Sequence, residues 1–182
     1  KMLAATEFFK PIQLESFEKG RIDLYNRYKN YFNLDKISAS PLITWNKENF
    51  PGIFEEITSL AKERNVTVTR TRFFVTPKGQ TLGIHTDGTQ LDNYSYALNI
   101  PIIFAETDHW MNWFHYNGET VVEESATYAN AIRPKEIDKL ILADRLTMLM
   151  PYYVKIGIFH SVNNFADLER IILSIRFSDS FL

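Results

Sequence analysis

Residues 80–90, QTLGIHTDGTQ, set an imidazole and a carboxylate two positions apart, at His85 and Asp87, shortly after the strand-like run VTVTRTRFFV. On an extended backbone, residues i and i+2 project to the same side, so the two side chains can converge on one point. Two outcomes fit that placement: a shared metal ion, or a strand-end turn in which Asp87 hydrogen-bonds its own backbone and His85 is only a neighbour. His160 lies far downstream in GIFHSVNN, at the end of an apolar run. That separation is long in sequence but short across a rolled sheet. With His85 and Asp87 it would complete a set of two histidines and one carboxylate, which binds one face of an octahedral Fe(II) and leaves three positions open. The plainer alternative for His160 is a strand-end or core histidine satisfied by a backbone carbonyl.

Arg170 opens the run RIILSIRF, ten residues after His160. Period-two alternation places Arg170, Ile172, Ser174 and Arg176 on one face and Ile171, Leu173, Ile175 and Phe177 on the other. The second face is wholly apolar. If the first faces solvent, its arginines are ordinary surface charges. If it lines a closed interior, each guanidinium needs an anion, because a buried unpaired charge is costly. A dicarboxylate co-substrate would supply that anion, and arginine grips a carboxylate bidentately.

The elements that must position these groups change character along the chain. Apolar and aromatic residues recur at three- and four-residue steps over 14–32, which predicts an amphipathic helix interrupted or capped near Gly20. A second helix is predicted in 49–65, with Pro51 in its first turn and Asn65 near its C-cap. From Val66 onward the pattern becomes that of short strands: VTVTRTRFFVTP, YSYALNIPII ending at Pro101, HWMNWFHYNGE, KLILADRLTMLMP, YYVKIGIFHSV and RIILSIRF. The expectation is one domain over 1–182, with helical support over about 1–65 and a barrel over about 66–182.

Composition narrows the function classes. The 20 basic and 22 acidic residues give a net charge of -2 without a basic block, so nucleic acid is not favoured as a partner. The chain has no Cys, which removes thiolate ligands and nucleophiles and fits a reducing, cytoplasmic setting. No stretch has the length and apolarity of a membrane span, so no membrane partner is expected.

Taken together, HTDG, the strand YALNIPI and the run HSVNNFADLERIILSIRF resemble the Fe(II)/2-oxoglutarate-dependent dioxygenases, closest in layout to the prolyl-hydroxylase-like branch. The resemblance spans roughly 66–177. It implies a double-stranded β-helix of jelly-roll or cupin-like form, mainly β, with N-terminal helices packed on one side. It also implies iron ligation by His85, Asp87 and His160, with Arg170 binding the far carboxylate of 2-oxoglutarate and Ser174 assisting. Asn99 is a further co-substrate contact, although a structural strand hydrogen bond serves it equally well. Arg176 makes an Arg-x5-Arg arrangement similar to that of alkylation-repair dioxygenases, and is assigned to co-substrate or substrate. The Gly-Gly turn usual in prolyl hydroxylases is missing, and Ala97 stands where that branch often has a co-substrate-binding tyrosine.

The implied activity uses Fe(II), 2-oxoglutarate and O2 to hydroxylate a small molecule or an amino-acid side chain, free or in a peptide, and releases succinate and CO2. A non-catalytic cupin-like metal or ligand barrel and a nucleic-acid-directed dioxygenase are the alternatives. Trp110, Trp113, Tyr116, Tyr94 and Tyr96 are expected to pack, and His109 and His115 to be non-ligands. Residues 79–83 and 118–134 are the candidate lids.

Overall fold

The computed structural model describes residues 5–88, 95–124 and 131–181. Two helices, α1 (Phe17–Tyr28) and α2 (Phe54–Glu63), accompany twelve strands among these residues. The first six strands are β1 (Phe9–Pro11), β2 (Ser38–Ala39), β3 (Val68–Thr76), β4 (Gln80–His85), β5 (Tyr96–Ile103) and β6 (His109–His115). The remainder are β7 (Thr120–Glu123), β8 (Ala131–Pro134), β9 (Ile141–Leu146), β10 (Tyr152–Lys155), β11 (His160–Asn164) and β12 (Arg170–Phe177). A six-stranded sheet in the order β1-β10-β5-β12-β3-β2 faces a four-stranded sheet in the order β4-β11-β6-β9, and β7 pairs with β8 as a separate ribbon. This is the double-stranded β-helix, with antiparallel ladders throughout both sheets.

Alternation along β3 and β12 decides what lies on each side of the larger sheet. Thr71, Phe73 and Val75, with Ile171, Leu173 and Ile175, point away from the barrel interior and are buried. The apolar members pack with Leu24, Ile53 and Ile57 from the helical region, so the helices cover that face. The opposite face carries Arg70, Arg72, Phe74 and Thr76 on β3, and Arg170, Ile172, Ser174 and Arg176 on β12. A second core of Phe9, Ala97, Met111, Trp113, Tyr152 and Val162 fills the space between the sheets beside this polar face.

Local details depart from the sequence expectations for identifiable reasons. Gly20 lies inside α1 and does not interrupt or cap it; a β-carbon there would collide with Ile53 Cγ2, so glycine permits close approach of the two helical segments. Glu56 on α2 completes that junction by accepting from Ser16 N at 2.8 Å and Glu15 N at 2.8 Å. Asn65 has φ 55° and follows α2 directly beyond its C-cap residue, which is where a left-handed residue ends a helix. Pro101 does not end its strand: β5 continues to Ile103, and the ladder with β12 shifts register beside it, as a residue without an N–H requires. The run YYVKIGIFHSV is not one strand, because the chain crosses from the larger sheet at β10 to the smaller one at β11. β1 and β2 add strands from the region expected to be helical support. Residues 80–85 form a regular strand, and β7 and β8 pair as a hairpin, so most of both candidate lid segments is ordered β structure; 125–130 lie outside the described residues. Among the described residues no helix is long and apolar enough to cross a membrane.

Candidate active site

The first histidine ends β4 and the second begins β11. Antiparallel pairing of these strands sets His160 directly opposite His85, and the register shifts between His160 and Val162. Such an irregularity re-aims a side chain at a strand end. The chain beyond β4 is pinned on both sides: Thr86 N donates to Ile132 O at 2.9 Å, and Asp87 N donates to Ile156 O at 3.0 Å. It turns away at Gly88, whose φ of 91° strains any L side chain.

These constraints bring His85, Asp87 and His160 together, with one ligand atom from each inside 4.8 Å of the others. Asp87 Oδ1 lies 3.3 Å from His85 Nε2 and 3.2 Å from His160 Nε2. His85 Nδ1 lies 2.7 Å from Gly83 O, and His160 Nδ1 lies 2.8 Å from Ile158 O. A carbonyl can only accept, so each Nδ1 carries a proton and donates it there, and both Nε2 atoms face the Asp87 carboxylate. The three potential ligand atoms converge on one point, and this donor set suits Fe(II). Burial works against the Asp87 anion, but hydrogen bonding by His160 and His85 outweighs it and holds the carboxyl well below its usual range. The other carboxylate oxygen, Oδ2, accepts from Arg176 Nη2 at 2.8 Å.

Behind the triad is a cavity of about 70 Å³, lined by all three residues together with Asn99, Arg170 and Ser174. Ser174 and Asn99 are cross-strand partners, which explains why they share this wall. Arg170 is 5% exposed, its Nε has no hydrogen-bond partner, and no described carboxylate pairs with it. Burial alone pushes its guanidinium down to about 10. Asn99 Oδ1 is likewise buried without a partner. Thus the structure gathers His85, Asp87, His160, Arg170, Ser174 and Asn99 around one space. Arg176 is on the same strand face but lines a second, outer cavity of about 250 Å³, which shares His85, Asp87 and Ser174 with the inner one.

The remaining candidates pack. Trp113 is fully buried, and its Nε1 donates to Lys155 O at 3.0 Å. Trp110 lies under Arg145 and beside Phe165, Tyr116 meets Phe159 edge-on, and Tyr96 stacks on Tyr153. His109 Nε2 donates to Ala105 O at 2.7 Å, and His115 sits against Phe8. Tyr94 lies outside the described residues. Four polar residues were not singled out in the sequence: Arg70, Arg72 and Arg133 on the outer cavity wall, and Tyr152, cross-strand from Asn99 with a buried, unpartnered hydroxyl. The alternation TRTRFF already placed Arg70 and Arg72 on one face. Nothing local marks Arg133 or Tyr152, whose positions depend on strand pairing.

The fold can be set beside known structures. AviO1 from Streptomyces viridochromogenes Tue57 matches with a TM-score of 0.52 at 12% identity, over 94% of this chain and 90% of that one. The viral collagen prolyl hydroxylase vCPH from Paramecium Bursaria Chlorella virus-1, solved as a 2OG complex, matches with a TM-score of 0.50 at 11% identity, over 93% of this chain and 94% of that one. At these identities the likeness shows a shared fold, the double-stranded β-helix. No family model matches the chain, and no curated protein matches it in sequence.

Proposed function

We propose that the chain is an Fe(II)- and 2-oxoglutarate-dependent oxygenase that hydroxylates a small molecule or an amino-acid side chain. The observation that carries this is Arg170: a buried guanidinium with no counter-ion among the described residues shares a small cavity with two histidines and a carboxylate arranged to ligate a metal. A metal site alone would not require that cation, and a cation alone would not require the triad. A co-substrate with a metal-chelating end and a distal carboxylate accounts for both. The same fold in a viral prolyl hydroxylase bound to 2OG supports the assignment.

In this proposal His85 Nε2, His160 Nε2 and Asp87 Oδ1 hold Fe(II), and Arg170 neutralises the distal carboxylate. Ser174 and Asn99 offer hydrogen bonds from the adjoining wall. When bound, iron and 2-oxoglutarate supply O2 activation coupled to oxidative decarboxylation, which yields succinate and CO2. Arg176 holds Asp87 Oδ2 and leaves Oδ1 turned toward the histidines. Leu82, Met111, Ile156, Val162 and Ile172 wall the inner cavity and limit water there. Substrate enters from the outer cavity, which meets the inner one at His85 and Asp87.

The test is anaerobic titration with Fe(II) and 2-oxoglutarate, followed by O2 exposure and measurement of succinate. One equivalent of each ligand and slow succinate release without substrate are expected. Metal binding with no affinity for 2-oxoglutarate would instead favour a cupin-like binding barrel.

A further inference from the structure

The outer cavity is positively charged in a chain whose net charge is -2. Its walls carry Arg70, Arg72, Arg133 and Arg176 against two carboxylates, Asp87 and Glu123. Both carboxylates are engaged, Asp87 by Arg176 and Glu123 by Arg133. Arg70 makes no ion pair or hydrogen bond with any described residue. Strand register concentrates the charge: Arg70 is the cross-strand partner of Arg176, and Arg72 is the partner of Ser174. Cross-strand partners lie about 5 Å apart at Cα, a spacing at which like charges repel. The rest of the wall is mostly apolar, with Ile37, Leu42, Phe74 and Leu82. An anionic head attached to an aliphatic or aromatic body matches both parts of the cavity.

We propose that the outer cavity binds a small substrate through an anionic group, a carboxylate or a phosphate, held by Arg70 and Arg72 beside the metal triad. That it is a substrate rests on the oxygenase assignment; that the cavity selects an anion does not. A volume of about 250 Å³ suits a small molecule better than a polymer threaded along a groove.

The test is isothermal titration with three probes of one chain length: hexanoate, hexyl phosphate and hexanamide. Each is run on metal-free protein and on Fe(II)-loaded protein saturated with 2-oxoglutarate without oxygen. At least one anion should bind about tenfold or more tighter than hexanamide, and the tighter of the two identifies the head group. Arg70→Gln should abolish the preference, Arg70→Lys should restore part of it, and saturation with 2-oxoglutarate should leave it unchanged. If Arg70→Gln does not fold, Arg72→Gln takes its place. Equal binding of anion and amide, or a preference that survives both variants, would overturn the proposal. So would competition by 2-oxoglutarate combined with loss in Arg170→Met, because the anion would then occupy the inner cavity. Tighter binding of a single-stranded oligothymidylate than of either anion would point to a nucleic-acid substrate instead. An Arg70-dependent anion preference in a protein that does not bind 2-oxoglutarate would leave the anion site standing and remove the oxygenase assignment.

Discussion

Arg170 and Arg176 stand on one face of one strand, six residues and roughly 20 Å apart, yet they meet opposite conditions. Arg170 is buried without an anion among the described residues, whereas Arg176 is half-buried and already spends its charge on Asp87. The inner end of β12 is therefore incomplete as it stands, and the outer end is complete. The difference teaches that residue type and strand face do not define a role; the neighbouring strand does. Thr76 is the cross-strand partner of Arg170, and Arg70 is that of Arg176. Among the described residues no carboxylate reaches the first, and Asp87 reaches the second from the turn after β4.

The strongest way to break this comparison is to remove the group that makes the outer end complete. Asp87→Ala should reduce Fe(II) affinity by well over the 10–100-fold typical of losing an outer-shell partner, because it deletes one of three ligands. Equilibrium dialysis with metal analysis reads this directly. Full occupancy in the variant would dissociate the triad from metal binding.

Arg170→Met tests the incomplete end. It should weaken 2-oxoglutarate binding by roughly a hundred-fold to a few thousand-fold, about 3–5 kcal/mol, since the distal carboxylate would be buried unpaired, while Fe(II) binding persists. The same substitution should make the ligand-free protein more stable by about 1–3 kcal/mol, because it removes an uncompensated buried cation. Denaturant unfolding without ligands checks the second effect. A destabilised variant would mean that Arg170 has a structural partner in solution. The two opposite signs distinguish a ligand-binding arginine from a packing one.

Arg176→Gln should behave differently. Its partner is a metal ligand, so Fe(II) affinity should fall about 10–100-fold, with a smaller effect on 2-oxoglutarate measured at saturating metal. A larger loss of 2-oxoglutarate affinity here than in Arg170→Met would exchange the roles of the two residues.

How much of this was legible in the sequence follows from the range of each interaction. Alternation in RIILSIRF assigned the faces of β12, and the His-x-Asp spacing placed two ligands on one side of an extended chain; both signals are local. The distal ligand His160 and the co-substrate residues Arg170 and Ser174 were legible through their order and spacing, which the resemblance supplied. Partners across strands were not. The Arg176–Asp87 pair, the alignment of Arg70 with Arg176 and the approach of Arg133 on β8 depend on register and on a hairpin laid over the mouth of the barrel. Gly20 shows the same limit: its sequence neighbours mark a helix interruption, and only Ile53, a residue 33 positions away, shows that it is a contact. The continuation of β5 past Pro101 and the break between β10 and β11 escaped for the related reason that sheet membership is a tertiary property.

The smallest expected effect lies on the acid side of the stability curve and concerns the outer end alone. The folded state holds the Asp87 carboxyl well below its ordinary 3.8. A carboxyl depressed on folding contributes stability that is present above its unfolded value and is lost as pH falls through its folded value. Between about pH 4 and pH 2 the unfolded chain takes up this proton before the folded chain does, so stability should fall with a slope of up to about 1.4 kcal/mol per pH unit from this group. Asp87→Asn removes the titration. In metal-free protein its denaturation free energy should therefore change less steeply across that window than the wild type's, while Arg170→Met, which leaves Asp87 and both histidines in place, should retain the wild-type slope. Equal slopes for wild type and Asp87→Asn would show that the carboxylate is not held in its charged form by its contacts with His160 and His85.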